Sequence, residues 1–159
     1  MNLTKDVMSS KVICIKAEDS MVNAYKIMHE KGIRHLPVLD DRHSVVGILS
    51  DRDIQRAMST KKINNFQQEV QLDGSLKVED FMSWPVYAVS ETTTVKKVAE
   101  EMLDQKVSAF LVEDTLGHLK GIVTTDDLLR LLIEDDENDF QKKVKLTLIG
   151  NYLNNTEAS

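Results

Sequence analysis

Cysteine is almost missing from this sequence. A single residue, Cys14, rules out an internal disulfide, and its place in the apolar run Val12, Ile13, Cys14, Ile15 marks it as a small buried side chain in a reducing compartment. Glycine and proline are scarce as well, six and two in 159 residues. With 42% apolar and 29% charged residues, that scarcity excludes a linker or a disordered tail and leaves an ordered domain able to bury a core. Positive charge is in deficit, 20 Lys and Arg against 26 Asp and Glu, so the chain lacks the net basic surface of a general nucleic-acid binder. Any anion must be held locally. No apolar run approaches the ~20 residues that span a membrane, and Met1 to Ser10 has no charged-then-apolar leader pattern, so a cytoplasmic protein without a membrane partner is expected. Four histidines, His29, His35, His43 and His118, are scattered without ligand spacing, which predicts no metal site.

What the chain does have is an internal repeat. At an offset of 74, Met8 meets Met82, Met28 meets Met102, Gly47 meets Gly121 and Asp53 meets Asp127. Residues Asp6 to Ile54 align onto Asp80 to Leu128 without a gap, with ten identities where chance pairing gives roughly three. One supersecondary unit is therefore used twice. Each unit opens with a β-rich run, Val12 to Lys16 and Val86 to Ser90. Ser20 and Thr94 then stand as N-caps before helical apolar sets at Met21, Ala24, Tyr25, Met28 and at Val95, Val98, Ala99, Met102. Two hairpin-like pairs follow, Arg34 to Leu39 with Val45 to Leu49, and Val107 to Glu113 with Leu119 to Val123, each split by turn residues. A second helix starts near Asp51 and Thr125, with Ile54, Ala57, Met58 and Leu128, Leu131, Leu132 facing inward.

The expected organisation is a first repeat over 1–59, a connector over 60–77, a second repeat over 78–135, and a C-terminal helix and loose tail over 136–159. The connector is polar and amide-rich, breaks at Asp73 and Gly74, and has room for a short helix around Phe66 and Val70. Phe140, Val144, Leu148, Ile149 and Tyr152 suggest an amphipathic C-terminal helix, although alternation at Val144, Leu146 and Leu148 also fits a strand. The acidic run Glu134, Asp135, Asp136, Glu137, Asp139 reads as a solvated helix end or hinge. Neither ~50-residue unit is easily stable alone, so an α/β (α+β) fold is predicted in which two β-α-β-β-α repeats pack pseudo-twofold through their sheets.

The strongest local signal is Gly47, Ile48, Leu49, Ser50, Asp51, Arg52, Asp53 and its echo Gly121, Ile122, Val123, Thr124, Thr125, Asp126, Asp127. As a capping box, Ser50 and Thr124 cap their helices while Asp53 and Asp127 reach back to the free amides. As a binding element, the same helix starts attract phosphate, the hydroxyl adds a hydrogen bond, and the aspartate accepts from two ribose hydroxyls. Arg52 is a solvated surface residue in the first case and a phosphate partner in the second.

These motifs resemble the CBS domain, named for cystathionine β-synthase, twice over between about Thr4 and Glu134. Ile33, Arg34, His35, Leu36, Pro37, Val38 is similar to that family's second strand, and Met82, Ser83, Trp84, Pro85, Val86 to the approach to its first. The resemblance implies a regulatory module, not an enzyme, that binds AMP, ATP or a related adenosyl ligand between the repeats and uses no catalytic cofactor. It implies Asp53 and Asp127 as ribose acceptors, Ser50 and Thr124 as hydroxyl partners and Arg34 and His35 as phosphate contacts. Pro85 and Val86, with Val12 and Ile13 opposite, would flank the bases. Assembly into a homodimer is a further implication, as is a regulated protein that the sequence does not identify. Ser108 and Ala109 replace Arg34 and His35 in the second repeat, so the site on Thr124 and Asp127 is expected to bind a phosphorylated ligand better than the site on Ser50 and Asp53. A ligand-free dimeric scaffold is the alternative. An enzyme is disfavoured, because there is no Gly-x-Ser-x-Gly elbow, no Gly-rich phosphate loop with Lys, and no nucleophile beside a base.

Overall fold

The computed structural model describes residues 2–134. A one-turn helix α1 (Thr4–Val7) leads to strand β1 (Ile15–Lys16), helix α2 (Met21–Lys31), strands β2 (His35–Leu39) and β3 (Val45–Ser50), and helix α3 (Asp51–Ala57). After a hairpin, β4 (Ser59–Asn64) and β5 (Gln67–Gln71), and a 3-10 turn at Val78–Asp80, the pattern returns as β6 (Ala88–Ser90), α4 (Val95–Gln105), β7 (Ala109–Glu113), β8 (Leu119–Thr124) and α5 (Thr125–Glu134). Each repeat forms a three-stranded sheet, ordered β1-β2-β3 and β6-β7-β8, with the first pair parallel and the second antiparallel. The registers agree at the 74-residue offset, Val38 opposite Gly47 and Val112 opposite Gly121, and the bulge follows Val38 and Val112 alike.

The helices start where the caps predict. Ser20 Oγ accepts from the Asn23 N–H at 3.1 Å and Thr94 Oγ1 from the Lys97 N–H at 3.3 Å. α2 ends on Gly32 at φ 62°, a left-handed geometry that glycine adopts without penalty. Met21, Ala24 and Met28 enter the first core with Leu36, Val38, Leu49 and Ile54, and Val98 and Met102 enter the second with Phe110, Val112 and Val123. A third cluster, Ala109, Leu111 and Ile122 against Val12, Val45, Ile48 and Val86, joins the two sheets face to face.

The opening segments are exchanged. Ser9 and Ile122 trade both backbone hydrogen bonds, at 2.9 and 3.0 Å, so residues 3–9 lie on the second sheet. Ser83 and Ile48 do the same, at 2.9 and 3.0 Å, and Val78 from that segment fills the first core with no exposed surface. This reciprocity is the signature of a twofold relation between the halves.

Three expectations are corrected. The opening strands shrink to Ile15–Lys16 and Ala88–Ser90, because Val12, Ile13 and Val86 leave the ladder to face the opposite repeat. Tyr25 lies on the outside of α2, 45% exposed and stacked on His29, and Leu132 on the outside of α5, since only one side of each helix meets a sheet. The connector forms the β4–β5 hairpin and no helix: Asn64 Oδ1 holds the turn through the Phe66 N–H at 2.9 Å, and both faces are in water, which is why no apolar alternation marks it. The anticipated C-terminal helix or strand and most of the acidic run lie outside the described residues.

Candidate functional site

Where the sheets meet, the start of each second helix faces the beginning of the other repeat's second strand, leaving two clefts of about 270 Å³ each. Both fall just below the range of about 300–1,000 Å³ usual for small-ligand sites. The first joins Thr124 and Asp127 to Arg34, His35 and Ile13. The second joins Ser50, Arg52 and Asp53 to Pro85 and Val86. Every site residue expected from the sequence thus lines one cleft or the other except Val12, which packs between the sheets against Ala109, Leu111 and Ile122.

The capping box forms in full at Ser50, whose Oγ accepts the Asp53 N–H at 3.4 Å, and the return bonds of its N3 carboxylate form at both helix starts. Thr124 donates from its N–H and its Oγ1 to Asp127 Oδ2, each at 2.8 Å. Ser50 does the same to Asp53 Oδ2 at 2.7 and 2.8 Å. The second carboxylate oxygen separates the two sites. Asp53 Oδ1 is held by Arg56 one turn along α3, and Asp53 is only 4% exposed, so both its oxygens are committed. Arg130 is the equivalent of Arg56, but among the described residues no ion pair joins it to Asp127, whose Oδ1 accepts no hydrogen bond. Among the described residues, a carboxylate oxygen that accepts no hydrogen bond therefore exists at Asp127 and not at Asp53.

His35 lines both clefts and links them, its Nε2 lying 2.8 Å from Ser108 Oγ. Burial pushes its imidazole below the ordinary value, outweighing the carboxylates of Asp51, Asp126 and Asp53 that pull the other way. At neutral pH this favours the uncharged, hydrogen-bonding imidazole. The folded-state pKa is the lower one, so this stabilisation is full above the unfolded value of about 6.5 and is lost as pH falls through the folded value. His35→Gln should flatten the stability curve between about pH 7 and pH 5 in urea melts, and an unchanged slope would remove His35 as its source.

Arg34 is engaged as well, its Nη2 paired with Asp126 Oδ1 across the halves. Four cations then line the first cleft, Arg34 with Lys11, Lys31 and Arg130, against Asp126 and Asp127. The sequence reading missed Lys11, Lys31 and Arg130. Arg130 was findable, three residues after Asp127 on the same helix face, whereas Lys11 and Lys31 needed the tertiary fold. The second cleft holds Arg52 and Lys106 beside the aromatic pair Trp84 and Tyr87.

A model of the CBS domain family matches residues 5–60 and again 78–134. The L-aspartate semialdehyde sulfurtransferase of Methanocaldococcus jannaschii is 30% identical over 131 residues, covering 82% of this chain and 23% of that protein. The chain spans about a quarter of the length of the first curated relatives it matches. Among solved structures, a CBS domain pair in complex with 5′-methylthioadenosine and S-adenosyl-L-methionine superposes with a TM-score of 0.68 at 28% identity, over 85% of this chain and 98% of that one. A conserved CBS domain protein of Thermoplasma acidophilum gives 0.67 at 27% identity, over 81% of this chain and 68% of that one.

Proposed function

Since the chain belongs to the CBS domain family, as two tandem copies, we propose that it is a sensor module, binding an adenine nucleotide in the cleft between Arg34 and Asp127. The carrying observation is that cleft itself, where cations from the first repeat face the start of a ten-residue helix in the second and a carboxylate oxygen that accepts no hydrogen bond from the described residues. The Asp126 and Asp127 N–H groups at the helix start suit phosphate, and Asp127 Oδ1 suits a ribose hydroxyl. The adenosyl ligands of the 28%-identical CBS pair support the same ligand class. AMP or ATP is the specific assignment, on the strength of Lys11, Lys31, Arg34 and Arg130. The proposal places the module in the cytoplasm as a homodimer whose occupancy is read by another protein, and it includes no catalytic step. No described helix is long and apolar enough to cross a membrane.

One observation favours the alternative, a dimeric interaction scaffold that takes no ligand: at Asp53 the carboxylate is wholly used as a cap and an ion-pair partner. Thermal melting with AMP, ATP, adenosine and inorganic phosphate separates the two. A ligand present at a hundred times its Kd adds ~2.7 kcal/mol, a rise of roughly 5–10 °C for a domain of this size. The sensor predicts that rise with at least one adenine nucleotide. Unchanged melting with all four at millimolar concentration selects the scaffold.

A further inference from the structure

The two clefts differ in one further respect, and it involves a residue to which the nucleotide assignment gives no role. At the mouth of the first, Arg34 from the end of the α2–β2 turn is paired with Asp126 from the first turn of α5. At the 74-residue offset those positions are Ser108 and Arg52, so the second cleft is lined there by a hydroxyl and a cation and has, among the described residues, no ion pair across the halves. Charge has been reversed at the helix position and removed at the strand position. We infer that Asp126 is a specificity-determining residue of the first cleft: it holds Arg34 in the absence of ligand and must surrender it to the ligand's phosphate.

This rests on the reading of that cleft as a nucleotide site. The pair is half-exposed on both sides, 50% and 44%, and exposed pairs of this kind are weak. A phosphate seated at the start of α5 offers Arg34 more charge and more acceptor oxygens than one carboxylate does. The exchange is therefore downhill for a phosphorylated ligand, yet each such ligand must first break the Arg34–Asp126 pair and then lie beside a released carboxylate. A nucleoside offers Arg34 no anionic acceptor, leaves the pair intact, and binds without that penalty. Asp126 thereby narrows the margin by which the cleft favours nucleotide over nucleoside.

Titration calorimetry with AMP and with adenosine on the full chain, the Asp126→Asn and Arg34→Gln variants and their combination tests this. Asp126→Asn should bind AMP about fivefold more tightly than the parent chain while adenosine changes by less than about twofold, and in the Arg34→Gln background the same substitution should alter AMP affinity by less than about twofold. Equal or weaker AMP binding by Asp126→Asn overturns the inference. So does a gain shared by adenosine, or one that survives the loss of Arg34. Failure of AMP and adenosine alike to bind any of the four proteins is a different result, and it removes the nucleotide site itself together with the role of Asp126.

Discussion

Asp127→Ala should weaken AMP binding about fiftyfold, while Asp53→Ala should leave it within about threefold. The expectation follows from where the carboxylate oxygens are spent. Asp127, which lines the cleft, uses Oδ2 for the Thr124 cap and leaves Oδ1 without a hydrogen bond among the described residues; a charge-assisted bond from a ribose hydroxyl is worth ~1.5–3 kcal/mol, which brackets a fiftyfold change. Asp53 presents neither oxygen, because Ser50 takes one and Arg56 the other. Both substitutions remove the N3 carboxylate that accepts from the N-cap residue and should cost about 1 kcal/mol of stability in urea melts. Affinity and stability therefore separate the roles: the two variants lose comparable stability, but only one loses ligand. If Asp53→Ala alone abolishes binding, the assignment of the clefts is reversed. Equal losses would mean that both clefts bind, and no loss in either would mean that both carboxylates are caps and nothing more.

The sequence motif was legible as a capping box and as a ribose acceptor, and no periodicity could choose between them. The choice turns on Arg56 and Arg130, which occupy the same repeat position but do not make the same contact. Much of the fold was legible for a related reason. Met8 and Met82, Gly47 and Gly121, and Val38 and Val112 coincide at one offset because the two members of each pair do the same packing job, one on each sheet. The exchange of opening segments was not legible, since the repeat reads identically whether Met8 covers its own sheet or the other. Tyr25 and Leu132 fit the helical period of their inward-facing neighbours yet stay outside, because periodicity gives a face and not its width. Thr60, Ile63 and Val70 carried the only β signal in the connector, diluted by amides and lysines on both faces. The Arg34–Asp126 pair spans 92 positions, beyond any local rule.

The exchange has a consequence that stability measurements can reach. Gly121→Ala should destabilise the chain by about 2–3 kcal/mol and Gly47→Ala by about 1 kcal/mol, as read from urea unfolding. Both glycines sit where a methionine of the exchanged segment lies across the sheet. A Cβ on Gly47 would overlap only the Met82 side chain, which can swing aside. A Cβ on Gly121 would come within 2.7 Å of Met8 Sδ and also within 2.8 Å of the Ser9 carbonyl oxygen. That carbonyl accepts the Ile122 N–H at 3.0 Å, so relieving the overlap breaks a hydrogen bond between the halves. Ser9 and Lys11 also line the cleft of Arg34 and Asp127, and the same displacement shifts the wall on which the nucleotide would lie. Gly121→Ala should therefore lose AMP affinity as well as stability, whereas Gly47→Ala, whose segment leads to Pro85 and Val86 in the other cleft, should keep it. Equal destabilisation by the two substitutions would show that the Ser9 backbone yields as readily as the Met82 side chain, and the segment would then not fix the cleft wall.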